Sequence, residues 1–268
     1  MTPRRRPSLA RHSRALLLLA LTAGGGCGGD GDARSATLPP EPWVDRPVSE
    51  WPDFALSNDV VFTDTSYSYL ANAFTIDTGA DTVGATAKHL FMLFERRQGL
   101  HSVALGDDFR GWWFRSSRDT ARVVTVRRLM NADSTERIGD FSGLKDRDWL
   151  VFELGEWADG VHPLKVRHTP LEPGDTMYAV GRSRAERRDR DPALSPLQVF
   201  RGFPTYYYVQ PLDPDVDPVD TSGSPVIDDG GYLVGLVSGA VGRLGVVAGV
   251  GYLRRVLEWH GVPMSAQP

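Results

Sequence analysis

The chain has 268 residues, of which 41% are hydrophobic and 24% charged, an ordinary balance for a globular protein. Its formal charge is −4, a poor footing for binding nucleic acid, and its single cysteine excludes an internal disulfide. The length allows two small domains or one generous all-β domain.

The N-terminus reads first as an address. Arg4, Arg5, Arg6, Arg11 and Arg14 precede "ALLLLALTAGGG", an apolar stretch too short to span a bilayer, and then Cys27. A basic head, a short apolar segment and small residues form an export signal over 1–26, and "LTAGGG" before Cys27 resembles a bacterial lipoprotein box, although Gly24 stands where a Leu-like residue is usual. The expectation is cleavage before Cys27, acylation of its sulfur and a lipid anchor in the cell envelope, with plain secretion as the alternative. Loss of 1–26 removes five arginines and no acid, taking the formal charge from −4 to −9. Residues 27–50, rich in Gly, Pro and Asp, read as a flexible tether.

The body spans 51–262, with 263–268 as a tail. Short runs such as "YLANAFTI", "TVGATA", "LFMLF", "ARVVTVRRL", "DWLVFEL", "TMYAVG", "SPVI", "YLVGLVSG" and "LGVVAGVGYL" alternate with polar turns. Rich in Val, Phe, Tyr and Thr, they read as the strands of an all-β sandwich or barrel. "YLRRVLEWHGV" places Leu253, Val256 and Leu257 on one helical face and ends at Gly261 and Pro263, so a terminal helix is expected. The mixed charges between Arg182 and Asp191 read as a solvated loop. "DPDVDPVD" from Asp213 alternates acids but lacks the glycine and the late acid of a calcium loop, having Pro218 and Ser224 instead. No metal-ligand spacing or phosphate-cradling loop stands out.

Three stretches carry chemistry together: "ATAKH" ending at His89, "DWLVFEL" opening at Asp148, and "DTSGSPVIDDGGYLVGLVSG" from Asp220 to Gly239. Their order and contexts resemble the trypsin/chymotrypsin-like serine endopeptidases, which read Thr-Ala-x-His, Asp before an apolar strand, and Gly-x-Ser-Gly-Gly/Ser-Pro before a strand pair. "LEPGDTMYAVGRS" further resembles the opening of the second barrel in bacterial members. The resemblance implies two packed six-stranded antiparallel β-barrels with a C-terminal helix, hydrolysis of proteins or peptides, and no cofactor. It assigns Ser222 as nucleophile, His89 as general base and then acid, and Asp148 as orienting carboxylate. Backbone N–H groups of Ser222 and Asp220 would form the oxyanion hole. The family has glycine at the latter position, so Asp220 implies either a loop that rearranges on substrate binding or a slow enzyme.

The substrate pocket is expected from Val216 on one side and from Ser238, Gly239 and Ala240 on the other. Val216 stands where trypsin-like enzymes carry an acid, so a small or medium apolar side chain is the expected preference. The alternative is a weakly active or inactive protease-like lipoprotein that binds peptides or a partner protein.

"IDTGADTV" from Ile76 resembles the catalytic loop of retroviral-type aspartic proteases. That chemistry needs two carboxylates sharing a proton, and no second loop of the right form follows. The stretch is therefore expected to be a hairpin turn, with Gly79 at positive φ and Asp77 or Asp81 bonding local backbone. An α/β-hydrolase would need its acid and histidine after the serine, and His260 leaves too little chain for them.

Overall fold

A computed structural model describes residues 39–139, 141–183, 191–213 and 221–264. The export signal, Cys27, Val216, Asp220, the acidic run after Asp213 and most of the charged run at 182–191 lie outside the described residues.

The first six long strands are β1 (Leu56–Phe62), β2 (Ser66–Asp77), β3 (Thr82–Thr86), β4 (Phe109–Ser116), β5 (Val123–Leu129) and β6 (Leu150–Leu154). They follow the order β1-β4-β5-β6-β3-β2, and antiparallel pairing of β1 with β2 closes the ring. The two-residue β7 (Leu164–Lys165) adds to β2 in parallel. The second barrel contains β8 (Thr176–Gly181), β9 (Ala193–Gly202), β10 (Tyr206–Pro211), β11 (Pro225–Ile227), β12 (Leu233–Val241) and β13 (Leu244–Gly249). It closes in the order β10-β13-β12-β11-β8-β9, so two six-stranded antiparallel barrels are present. Closure leaves the six strands of each ring without a free edge.

Side-chain alternation explains why several strands read as unbroken apolar runs. Leu150 and Phe152 fill the first barrel while Trp149 and Val151 face the core between barrels. In the second barrel Val237 and Val247 point inward while Leu236 and Ala248 join that same inter-barrel core. These strands are buried on both faces, which removes the polar alternation of a half-exposed strand. The terminal helix α3 (Val250–Trp259) adds Leu253, Val256 and Leu257 to the shared core. Its apolar face ends there, since Trp259 is 80% exposed.

Two sequence expectations are corrected. "LFMLF", expected as a strand, lies in helix α1 (Leu90–Gln98). Leu90, Phe91 and Phe94 are its buried residues, and Gly99 ends it in the left-handed conformation with φ 70°. Residues 39–50, expected as the end of a flexible tether, are folded: a 3-10 turn spans Val48–Glu50 and Trp43 is only 5% exposed. Trp43 packs against Trp51 and Phe54 at ring distances of 5.0 and 5.3 Å. The Glu41 N–H donates to the carbonyl of Gly230, and Glu41 pairs with Lys165 at 2.8 Å.

The Asp-Thr-Gly stretch forms the expected hairpin. Asp77 pairs with Thr82 at the strand ends, Gly79 has φ 81°, and Asp77 Oδ1 accepts the Gly79 N–H at 2.7 Å. Asp81 likewise accepts the Thr82 N–H at 2.7 Å. Both carboxylates serve the turn.

Candidate active site

His89 follows β3 and occupies the N-cap position of α1, where "TAK" carries the chain out of the first barrel. Asp148 precedes β6 and is fully buried, and its next neighbour anchors it: the Trp149 ring lies in the inter-barrel core and its indole N–H donates to the Gly249 carbonyl at 3.1 Å. The Asp148 carboxylate binds the histidine twice. Oδ1 accepts the His89 backbone N–H at 2.7 Å, and Oδ2 faces ring Nδ1 at 2.8 Å. The Ser238 hydroxyl, from β12, also donates to Oδ2. A buried carboxylate with three donors is held in one orientation.

Burial by itself would push the His89 imidazole pKa down, but the neighbouring Asp148 charge and hydrogen bond outweigh it, leaving the pKa above its usual 6.5. Nδ1–H toward the carboxylate leaves Nε2 as the free basic nitrogen. The imidazole side chain retains 18% exposure, so it can meet a substrate.

Ser222 sits on the turn before β11. The peptide group joining it to Gly223 is fixed at both ends: the Ser222 carbonyl accepts the Asn72 N–H at 2.9 Å, and the Gly223 N–H donates to the Val237 carbonyl at 2.9 Å. Gly223 has φ 79°, and a Cβ there would lie 2.2 Å from the Asn72 carbonyl oxygen and 2.8 Å from Thr86 Oγ1. Only glycine fits. Thr86 is three residues before His89 and Val237 adjoins Ser238, so the three motif segments converge on one place.

Of the pocket residues expected from sequence, Ser238 is buried with its hydroxyl committed to Asp148, Gly239 is buried and Ala240 is half-buried. The sequence reading missed Phe141, which opens the short helix α2 (Phe141–Leu144). Its ring meets His89 edge-on at 6.1 Å and covers Gly239, where an added Cβ would lie 2.5 Å from the ring. Missed too was the role of Lys88. Fully buried beside His89, its ammonium donates to both Glu136 carboxylate oxygens at 3.0 Å and to the Tyr252 hydroxyl at 3.4 Å. Arg147 joins Glu136 at 3.1 Å. This ion-pair cluster ties the segment entering Asp148 to the one carrying His89. Among the described residues, no group of three or more His, Cys, Asp or Glu side chains forms a metal site.

No family model matches this chain, and no curated protein matches it by sequence. Its structure is similar to solved ones. The active form of the Rv3671c protease from M. tuberculosis superposes with a TM-score of 0.51 at 15% identity, covering 86% of this chain and 89% of that one. The inactive form of the Rv3671c protease gives 0.50 at 16% identity, over 83% and 98% of the two chains. Kallikrein-related peptidase 10 in complex with Zn2+ gives 0.51 at 13% identity, over 78% of this chain and 96% of the other. At such identities the likeness speaks for architecture, and with the paired six-stranded barrels and the terminal helix it establishes that this chain has the fold of the chymotrypsin-like serine proteases.

Proposed function

We propose that this chain is a serine endopeptidase that cleaves protein or peptide substrates through Ser222, His89 and Asp148. The observation that carries this reading is the buried Asp148 carboxylate gripping His89 through its backbone N–H and Nδ1, at 2.7 and 2.8 Å. That grip fixes the tautomer and stabilises the imidazolium that forms when a hydroxyl proton arrives.

In this reading Ser222 Oγ attacks the scissile carbonyl carbon while its proton passes to His89 Nε2. The imidazolium then gives that proton to the leaving amine as the C–N bond breaks. Water repeats the sequence on the acyl-enzyme and regenerates Ser222. Backbone N–H groups of Ser222 and Asp220 are the proposed oxyanion donors. Val216, Ser238, Gly239 and Ala240 are the proposed pocket, with Phe141 added as a wall above Gly239. Export through 1–26 and acylation of Cys27 would place the enzyme in the cell envelope, tied to a membrane.

The test is stoichiometric labelling by a fluorophosphonate at neutral pH, with Ser222→Ala as control. Labelling that vanishes in Ser222→Ala supports the enzyme. A folded protein that never labels would sink it and leave a peptide-binding, protease-like lipoprotein.

A further inference from the structure

The Asn72 side chain is fully buried and engages both barrels. Its Oδ1 accepts the Arg182 N–H at 3.0 Å, and its Nδ2 donates to the Arg182 carbonyl at 3.0 Å. The carboxamide thus pairs with both backbone groups of one residue, as a peptide unit does in an antiparallel ladder, but from a side chain of β2 to the residue after β8. A coplanar donor and acceptor are what this pairing needs, and among side chains only the amides supply both. Nδ2 also reaches the Ser222 carbonyl at 3.4 Å, which the Asn72 backbone N–H binds at 2.9 Å.

The surroundings hold Asn72 at this place. Its carbonyl accepts Thr86 Oγ1 at 2.6 Å and Asn58 Nδ2 at 3.0 Å, while Asn58 Oδ1 accepts the Trp112 indole N–H at 2.8 Å. Just upstream, Tyr69 and Ala71 both have φ 55°, where the β1–β2 register shifts around Asn58. Non-glycine residues adopt that conformation at an energetic cost, and such strain concentrates at functional sites. Asp59 Oδ1 caps the Tyr69 N–H at 3.1 Å.

We propose that Asn72 is a positioning residue for Ser222: its carboxamide locks the second barrel's Arg182 backbone to the first barrel, and its N–H fixes the nucleophile's carbonyl within that lock. The inference rests on the serine-endopeptidase reading. Since a displacement of about 1 Å costs roughly a hundredfold in rate, losing the carboxamide should slow the acylation step by about that factor.

The experiment compares wild type, Asn72→Ala and Asn72→Asp, measuring fluorophosphonate labelling as a function of reagent concentration and also its endpoint. Asn72→Asp keeps the volume but turns an acceptor toward the Arg182 carbonyl, so it tests the pairing itself. The expected result is a maximal labelling rate lower by about a hundredfold in both variants, with half-saturation within about threefold and a stoichiometric endpoint. A merely structural Asn72 would instead lower the endpoint with the unfolded fraction while the folded remainder labels at the wild-type rate, which overturns the proposal. So does failure of both variants to fold. An unlabelled wild type overturns the serine-endopeptidase reading, and this inference with it, before any variant is compared.

Discussion

The Ser238 hydroxyl and Nδ1 of His89 share a single oxygen, Oδ2 of Asp148, with the ring nitrogen at 2.8 Å. Asp148→Asn would replace the carboxylate with an amide that cannot accept at every oxygen site, leaving His89 with the wrong tautomer. Labelling of Ser222 should fall by about four orders of magnitude. Ser238→Ala removes one donor and keeps the charge, so a drop of roughly tenfold is expected. Equal losses in the two variants would show that Asp148 does not orient the ring.

In the proposed mechanism His89 must be neutral to accept a proton, so its raised pKa would set the acid side of activity. The midpoint of that limb is expected above pH 6.5, the ordinary histidine value. In Asp148→Asn burial persists while the opposing charge is gone, so the limb should move to lower pH. The same group contributes stability that is full below the unfolded-state pKa and is lost as pH rises through the folded-state value. Labelling rates and urea midpoints across pH 5 to 9 in wild type and variant check both signs.

Local chemistry made much of this fold legible. "SGSP" is read within a few residues because its glycine and proline act on neighbouring backbone, and the Asp77 hairpin was readable for the same reason through Gly79. "LFMLF" was not, since five apolar residues carry no period that separates strand from helix. Asn72 was illegible for a different reason: the backbone its carboxamide pairs with lies 110 residues away, and Ser222 lies 150 away. Trp43 sits among prolines and acids, so composition spoke for a tether while its packing against Trp51 and Phe54 decided otherwise.

At Gly223 a side chain meets two obstacles, a φ of 79° and the Asn72 carbonyl oxygen 2.2 Å from a Cβ. Gly223→Ala is expected to cost about 3 kcal/mol and to abolish labelling, because relief of the clash must move the turn that carries Ser222. Urea unfolding reads the first effect and the fluorophosphonate the second. An alanine variant with wild-type stability and labelling would mean that the turn has another conformation available.

The Lys88–Glu136 pair separates stability from chemistry. Side-chain exposures are 0% and 14%, so Glu136→Ala would strand a buried ammonium beside His89. A loss of about 3 kcal/mol is expected by urea unfolding. The double variant Lys88→Met, Glu136→Leu should recover most of it, since an apolar pair of similar volume carries no desolvation cost. No recovery would mean that Glu136 matters chiefly through Arg147.

The strap at 39–50 is tested by a tryptophan with its own matched control. Trp43 is 5% exposed and packs edge-on against Trp51, tilted on Phe54 and edge-on to His162, at ring distances of 5.0, 5.3 and 6.4 Å. Trp43→Ala should therefore cost about 3 to 5 kcal/mol, as truncation of a buried aromatic does. Trp259, 80% exposed on the last turn of α3, has little to lose, and Trp259→Ala should stay within about 0.5 kcal/mol of wild type. A loose tether would make the two substitutions equally silent. A large loss at Trp43 alone would mean that the folded body begins upstream of the first barrel, and that any linker to Cys27 is shorter than its composition implies.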